Sequence, residues 1–138
     1  MKKILIIDGQ GGKMGCMLIS ALKTQLPAQE IIAIGTNSIA TAAMLKSGAT
    51  YGATGENPVV YNSSDADIIA GPVGIVAANS LLGEVTPAMA QAIGQSHAQK
   101  ILIPIGKCHL FVAGTQELSL GEYIADAVRE ILRIIKED

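Results

Sequence analysis

Two short runs of branched apolar residues near the start of the chain are separated by a segment with helical periodicity. Residues 4–7 and 31–34 are apolar without polar alternation, which is typical of strands buried on both faces of a parallel sheet. Between them, apolar residues recur at steps of three and four over residues 14–26, and a proline ends the pattern, which predicts a helix. Residues 3–35 therefore predict a βαβ unit with a right-handed crossover.

The alternation of strand-like and helix-like segments continues along the chain. It predicts an α/β fold: a doubly wound, mainly parallel Rossmann-like sheet with helices on both faces, in one domain over residues 1–138. The further predicted helices are 38–46 with Ser38 as a candidate cap, a small one within 73–82, 86–94 starting at Thr86-Pro87, and 118–135, which would bury Ile124, Val128, Ile131, Leu132 and Ile135. The further predicted strands are 59–61, 67–71 and 100–105, the last with 110–113 as a candidate partner, and residues 48–58 are expected to be a loop.

The composition narrows the class of partner. Hydrophobic residues make up 49% of the chain and charged residues 16%, with a net charge of −2. Because there is no basic stripe and no aromatic stacking platform, nucleic acid is excluded as the main partner. No run approaches the roughly 20 apolar residues of a membrane span, and Asp8 interrupts the first apolar run too early for a signal peptide. We therefore expect a cytoplasmic protein without membrane contact.

A glycine-rich stretch, Asp-Gly-Gln-Gly-Gly-Lys-Met-Gly, occupies residues 8–15 between the first predicted strand and helix. Three of its glycines follow the spacing G-x-x-G-x-x-G, a variant of the dinucleotide fingerprint G-x-G-x-x-G. Such glycines allow a sharp turn and the close approach of a pyrophosphate, and the amides at the helix start favour an anion. The stretch resembles the loop of dihydrodipicolinate reductases, which implies phosphate binding; the alternative is that the glycines only let the helix pack on the sheet. The predicted contacts are Gly9, Gln10, Gly11, Gly12, Lys13, Met14 and Gly15.

The turn after the second predicted strand bears on which nucleotide is bound. The acid that binds the ribose hydroxyls in NAD-binding folds stands about 20 residues after the glycines, but this turn reads Gly-Thr-Asn-Ser at 35–38. The missing acid argues against NAD as the ligand and leaves NADP or another nucleotide as alternatives. Thr36 and Asn37 are the groups that could hydrogen-bond a 2′-phosphate. The same turn could hold a free phosphate or carboxylate, or be an ordinary helix cap. Gly71 and Pro72 are expected to line the same crevice at the carboxyl edge of the sheet.

Few other side chains suggest chemistry. Glu56, in the glycine-rich stretch expected to be a loop, is the candidate acid or base, with an exposed loop carboxylate as the alternative. Cys16 and Cys108 are expected to be small buried residues, and with the two histidines they show none of the spacings of a zinc site, so that no metal is predicted. A P-loop NTPase is disfavoured because Lys13 is followed by methionine rather than Ser or Thr.

Several motifs follow one another along nearly the whole chain. They are Ile-Asp-Gly-Gln-Gly-Gly at 7–12, Gly-Thr-Asn at 35–37, Gly-Ala-Thr-Gly-Glu-Asn at 52–57, Gly-Pro-Val-Gly-Ile at 71–75 and Ala-Asn-Ser-Leu-Leu-Gly-Glu at 78–84. In this order they resemble one small bacterial family, a domain of unknown function found mostly in anaerobic Gram-positive bacteria. The resemblance implies a Rossmann-like fold and brings no activity, substrate or catalytic residue.

The sequence leaves open whether the chain is an enzyme. We expect a small phosphate-bearing ligand; the alternatives are a small oxidoreductase or phosphorylated-metabolite enzyme whose site is completed in a homodimer, and a non-catalytic structural or interaction protein. A homodimer is expected because residues 73–93 are largely apolar with Glu84 as their single charge, so that the segment must be covered on both sides. The alternative cover is the stretch 48–64 of the same chain.

Overall fold

Strands and helices alternate along the chain in the computed structural model, which describes residues 1–105 and 109–137. The strands are β1 (Ile4–Asp8), β2 (Ile31–Gly35), β3 (Tyr51–Thr54), β4 (Ile68–Pro72) and β5 (Gln99–Ile103). The helices are α1 (Lys13–Gln25), α2 (Ser38–Lys46), α3 (Glu56–Ser63), α4 (Pro87–Gln95) and α5 (Leu120–Lys136), and a short 3-10 helix, Val73–Val76, follows β4.

The five strands of the described residues form one parallel sheet in the order β3-β2-β1-β4-β5. The chain builds the sheet outward from β1 to β3 and then returns to the other side of β1 to add β4 and β5. The strand order therefore reverses between β1 and β4. Ligands of such sheets bind at this switch point, beyond the carboxyl ends of the strands. The predicted doubly wound α/β fold is confirmed.

Helices cover both faces of the sheet. Ile4 and Ile6 of β1 pack with buried residues of α1, α2 and α5, whereas Leu5 and Ile7 pack with buried residues of α3 and α4. This alternation follows from the two-residue period of a strand. All four side chains are almost completely buried, and each contributes roughly 1.5–3 kcal/mol to folding through that burial. The single apolar run of β1 therefore belongs to both cores.

The stretch 48–64 differs most from the sequence prediction. Residues 59–61, predicted as a strand, lie inside α3, and the strand is β3, within the stretch predicted as a loop. Val59 is buried against the sheet, and Pro58 lies in the first turn of the helix, where proline is tolerated. β3 is an edge strand whose residues are exposed or half-buried, and it therefore lacks the apolar pattern of the central strands.

Residues 110–113 do not form the predicted strand beside β5. They have no regular secondary structure, and Phe111 is 90% exposed. Within the described part of the chain, β5 pairs with β4 alone. Apolar and aromatic residues favour a strand mainly through packing against neighbouring strands, and here that packing is missing.

The last helix is confirmed and begins at a capping box. The Ser119 side chain accepts from the Glu122 amide, and the Glu122 side chain accepts from the Ser119 amide. Leu132 and Ile135 were predicted to be buried, but both are half-buried, and Ile134 is buried instead. Ile134 shares the inward face of the helix with the residues three and seven positions before it.

Within residues 1–105 and 109–137, every helix is too short or too polar to span a membrane.

Side chains also cap two other predicted helices, α4 and α2. Oγ1 of Thr86 accepts from the amide of Met89 at 3.1 Å, so that α4 starts as predicted. α2 is capped by Asn37, whose Oδ1 accepts from the amide of Ala40 at 2.9 Å, and not by the predicted Ser38. The Asn37 backbone is extended, which leaves its side chain free to turn back onto the first turn of the helix.

The apolar segment 73–93 is covered mostly within the chain. Ile75, Leu81 and Val85 are buried in the same core as Val59 of α3, and α3 packs against α4. The alternative cover, the stretch 48–64, is therefore the one that the structure shows, and the argument that a second copy must cover the whole segment is wrong. Leu82 is the exception, since it is 94% exposed.

Candidate functional site

The glycine-rich loop links β1 to α1 at the carboxyl edge of the sheet. Gly12 precedes α1 with a φ of 75°, a left-handed conformation that favours glycine, and its amide donates to the Gly9 carbonyl at 2.8 Å. A Cβ on Gly12 would lie 3.1 Å from the backbone of Ala40, so that glycine also lets α1 approach α2. A Cβ on Gly11 would meet nothing within 4 Å. Gly11 therefore borders open space, whereas Gly12 serves the packing of the two helices.

The carboxylate of Asp8 binds the amides at both ends of the loop. Oδ1 accepts from Gly9 and Oδ2 from Gly15, each at 2.8 Å, and the residue is buried. Burial raises the pKa of Asp8 above its ordinary value, and the negative charge of Glu84 acts in the same direction, whereas the amide hydrogen bonds oppose the shift. In the sequence, Asp8 stands out only as the end of an apolar run, although a carboxylate directly before a glycine-rich loop is well placed to bind its amides.

Glu84 places a second carboxylate on the loop. Its Oε1 accepts three hydrogen bonds: from the Gln10 amide at 2.9 Å, from Thr36 Oγ1 at 2.7 Å and from Asn37 Nδ2 at 2.8 Å. Partial burial opposes ionisation of Glu84, but the hydrogen bonds from Thr36, Gln10 and Asn37 outweigh it and lower the pKa of the carboxyl below its ordinary value. Glu84 is therefore held as an ionised side chain that joins the ends of β1 and β2.

Residues 77–86, which we call the flap, carry Glu84 to this position. Asn79, Leu81 and Leu82 have φ values of 66°, 55° and 57°, in the left-handed region that non-glycine residues seldom adopt. The turn is closed by a hydrogen bond from the Asn79 amide to the Val85 carbonyl at 2.7 Å. Leu81 is buried above Gly9, because a Cβ on that glycine would lie 2.8 Å from Leu81 Cδ1. The flap thus covers part of the loop that was predicted to bind phosphate.

The predicted residues at the ends of β1 and β2 do come together. Besides their shared contact with Glu84, Gln10 and Asn37 are joined directly, since Asn37 Nδ2 donates to the Gln10 carbonyl at 2.9 Å. Sequence reasoning had noted Glu84 as the one charge in an apolar segment and as a polar group beside a glycine-rich turn, but it had assigned it no contact with the loop. A single charge that interrupts such a segment was the available signal, but its partners lie 47 to 74 residues away.

Gly71 and Pro72 end β4 next to β1. Both are buried, and a Cβ on Gly71 would collide with the carbonyl oxygen of Ile7. Gly71 therefore lies in the packing between β4 and β1, and Pro72, which pairs with Ile103 of β5, is buried in the sheet rather than on an open surface.

Most amides of the loop donate to groups of the protein itself. In the described part of the chain, the amides of Gly11 and Lys13 have no acceptor. Lys13 is the first residue of α1, so that its amide lies at the positive end of the helix dipole. The loop thus offers two free amides beside open space; the amides already used are those of Gly9, Gln10, Gly12, Met14 and Gly15.

Glu56 lies in the first turn of α3 and not in a loop. Its Oε1 accepts from Thr86 Oγ1 at 2.7 Å, so that the side chain holds the start of α4 rather than the glycine-rich loop. Cys16 lies in α1 and is half-buried against the core, and Cys108 lies outside the described residues. Among residues 1–105 and 109–137 no three His, Cys, Asp or Glu side chains are grouped so as to hold a metal ion.

An open groove of about 940 Å³ lies between β5 and α5, away from the glycine-rich loop. Its walls include Lys100, Ile103, Tyr123 and Arg129. It is a wide surface groove beside an edge strand, and no glycine turn is among its lining residues. We therefore take the loop, and not this groove, as the candidate site.

The family description "Domain of unknown function (DUF3842)" matches residues 3–136. The chain belongs to this family. The resemblance that the motifs indicate along nearly the whole chain is thereby confirmed for this chain. No curated protein matches it significantly.

One solved structure to which this chain is similar is a dodecameric FMN-dependent Ubix-like decarboxylase from Escherichia coli O157:H7. The two chains are 15% identical, with a TM-score of 0.47, and the alignment covers 95% of this chain and 75% of the other.

Proposed function

We propose that this protein binds a nucleotide or dinucleotide, with a phosphate at the glycine-rich loop. The observation that carries the proposal is the pair of free amides, of Gly11 and Lys13, beside open space at the start of α1. Backbone amides and the helix dipole at such a position favour an anion. The site also lies at the carboxyl edge of β1, next to the switch point of the sheet, where ligands of this fold class bind.

The charges around the loop favour a modest anion rather than a highly charged one. Asp8 and Glu84 are negative, but amides and neutral side chains of the protein hold both carboxylates. Lys13 is exposed at the start of α1 and offsets part of the negative charge. A phosphate on the Gly11 side of the loop gains the two free amides and the lysine while leaving the bonds of both carboxylates intact.

Gly11→Asp should abolish nucleotide binding. The residue borders open space and its φ is not in the left-handed region, so that the fold tolerates a side chain, but the added carboxylate repels the phosphate. Thermal shifts with NAD, NADP, ATP, FAD and acetyl-CoA test this, because a ligand at a hundred times its Kd stabilises by about 2.7 kcal/mol. Gly11→Ala is the matched control and should keep most of the shift. If no ligand shifts the wild-type protein, the loop is structural and the proposal fails.

Binding without catalysis fits the side chains better than an enzyme does. Among the described residues, Asp8 and Glu56 near the carboxyl edge accept hydrogen bonds from donors of the protein, and Oε1 of Glu84 does the same; these bonds position loops or helix starts. A general acid or base needs instead to reach the reacting group of a substrate. We therefore propose a binding module, whose site could still be completed by a second copy.

Leu82→Glu should dissociate a homodimer without unfolding the monomer. Leu82 lies at the tip of the flap and is 94% exposed, and a two-fold contact between flaps would bury it against its symmetry mate. Light scattering after gel filtration should give twice the chain mass of 14.3 kDa for the wild type and a single chain mass for the variant. Leu82→Met is the control. A wild-type mass of one chain across micromolar concentrations would contradict the predicted homodimer.

A further inference from the structure

Glu84 supplies a carboxylate at the end of β2, where the sequence itself has no acidic residue. In dinucleotide-binding sheets an acid at the end of the second strand accepts hydrogen bonds from the ribose hydroxyls. Here that strand is followed by Thr36 and Asn37, and the side chains of both bind Glu84 at 2.7 and 2.8 Å. The carboxylate thus reaches the ribose-binding position from the connection between β4 and α4.

The two oxygens of Glu84 differ in what they bind. Oε1 accepts all three hydrogen bonds, from the Gln10 amide, Thr36 and Asn37. For Oε2 there is no hydrogen-bond donor within residues 1–105 and 109–137, and Glu84 is half-buried rather than enclosed. Three donors on one oxygen fix the carboxylate in place, so that the other oxygen is a preorganised acceptor for a hydroxyl group.

We propose that Glu84 binds the ribose of the ligand, with Oε2 accepting from the 2′- and 3′-hydroxyls, and that the ligand carries no 2′-phosphate. This rests on the proposed function, since the phosphate at the glycine-rich loop brings the ribose to the end of β2. Oε2 needs no displacement to accept a hydroxyl hydrogen. A 2′-phosphate has no hydrogen to give it at neutral pH and would place a like charge beside a fixed carboxylate.

A carboxylate at the end of β2 favours a ligand with a free ribose diol, which the sequence of the turn did not indicate. The turn 35–38 has no acid, which left NADP open and NAD in doubt. With Glu84 in place, NAD and other nucleotides with a free ribose diol are favoured over NADP. A hydrogen bond from a hydroxyl to a charged group changes affinity by about tenfold to a hundredfold.

Isothermal titration with two matched pairs of probes tests the inference. NAD and NADP, and likewise AMP and adenosine 2′,5′-bisphosphate, differ only in the 2′-phosphate. The wild-type protein should bind the free-diol member of each pair at least about tenfold more tightly, because the like-charge contact is absent. Equal affinities within each pair, or tighter binding of the 2′-phosphate member, would overturn the inference.

Glu84→Gln is the decisive variant. Its side-chain oxygen can keep the bonds to Gln10, Thr36 and Asn37, while an NH₂ group replaces Oε2. It should weaken NAD binding about tenfold and reduce or reverse the preference over NADP. Glu117→Gln makes the same charge change on an exposed residue and should leave the preference unchanged.

The outcomes separate this inference from the proposed function. If no probe binds, or if binding persists in Gly11→Asp, the proposed function fails. If NAD binds, depends on Gly11 and shows the same preference in Glu84→Gln as in the wild type, only the role of Glu84 fails. If neither NAD nor AMP binds while NADP or adenosine 2′,5′-bisphosphate binds in a Gly11-dependent way, the role of Glu84 also fails. Should Glu84→Gln not fold, as judged by circular dichroism, the wild-type preference alone decides.

Discussion

Replacing Gly71 with alanine should lower the free energy of unfolding by about 3 kcal/mol or more. Gly71 lies in β4, and its Cβ would overlap the carbonyl oxygen of Ile7 in β1. Because the obstacle is the backbone of the neighbouring central strand, it cannot rotate aside as a side chain would. The strands would have to separate at the switch point, which would also disturb the start of the glycine-rich loop. Urea denaturation followed by circular dichroism measures the loss.

Gly94→Ala is the matched control for Gly71. Gly94 lies in α4, and a Cβ there would meet nothing within 4 Å. Alanine is the better helix former, so this variant should be more stable than the wild type by up to about 1 kcal/mol. An unchanged urea midpoint for Gly71→Ala would show that β1 and β4 can adjust to a side chain between them.

Asp8→Ala should lower the free energy of unfolding by roughly 2–5 kcal/mol, because two amide donors lose their acceptor in a buried place. The amides are those of Gly9 and Gly15, each bound to Asp8 at 2.8 Å. Asp8→Asn should lower the free energy of unfolding by less, because one side-chain oxygen remains as an acceptor while the NH₂ group faces the other amide. Asp126→Ala, on an exposed residue, should stay within about 0.5 kcal/mol of the wild type.

The pH dependence of unfolding should identify the Asp8 carboxyl. Its folded-state pKa is raised, chiefly by burial, so that the folded protein binds a proton at a higher pH than the unfolded chain. The resulting contribution to stability is fully present below the unfolded pKa and is lost as the pH rises through the folded pKa. On acidification from pH 7 toward about pH 4, the wild type should therefore lose less stability than Asp8→Asn. Parallel pH profiles of the two proteins would contradict this assignment.

The parts of the fold that were predicted correctly have local causes. β1 and β2 are apolar runs buried on both faces, and α4 carries its own cap, Thr86, followed by proline. β3 escaped prediction because an exposed edge strand has no apolar pattern, and Val59 was assigned to a strand because one apolar residue fits either a strand or the inward side of a short helix. Whether a segment is a strand or a helix could be predicted where burial dictates its composition. It could not be predicted where the segment lies at the edge of the sheet.

The position of the candidate site could be predicted from the sequence, but its hydrogen bonds could not. A glycine-rich stretch between a buried strand and a helix has a defined position in this fold class, so the loop after β1 was found. Which of its amides are free depends on Asp8 and on Glu84, and the Glu84 contact with Gln10 spans 74 residues. No local pattern predicts such a contact, because it is set by the path of the flap across the edge of the sheet.

The left-handed turn of the flap affects how often the site is formed. Asn79, Leu81 and Leu82 each hold a backbone conformation that costs roughly 1 kcal/mol or more, and this energy is released when the turn unfolds locally. The flap therefore opens more readily than a relaxed segment of the same size, and the Gln10 amide, which donates to Glu84, exchanges its hydrogen with solvent in those open moments. A ligand that binds Glu84 as proposed would bind only the closed population, so its apparent Kd would be the intrinsic Kd divided by the closed fraction. Substitutions in the flap that change its backbone strain without touching the ligand are thus expected to change affinity at the proposed site.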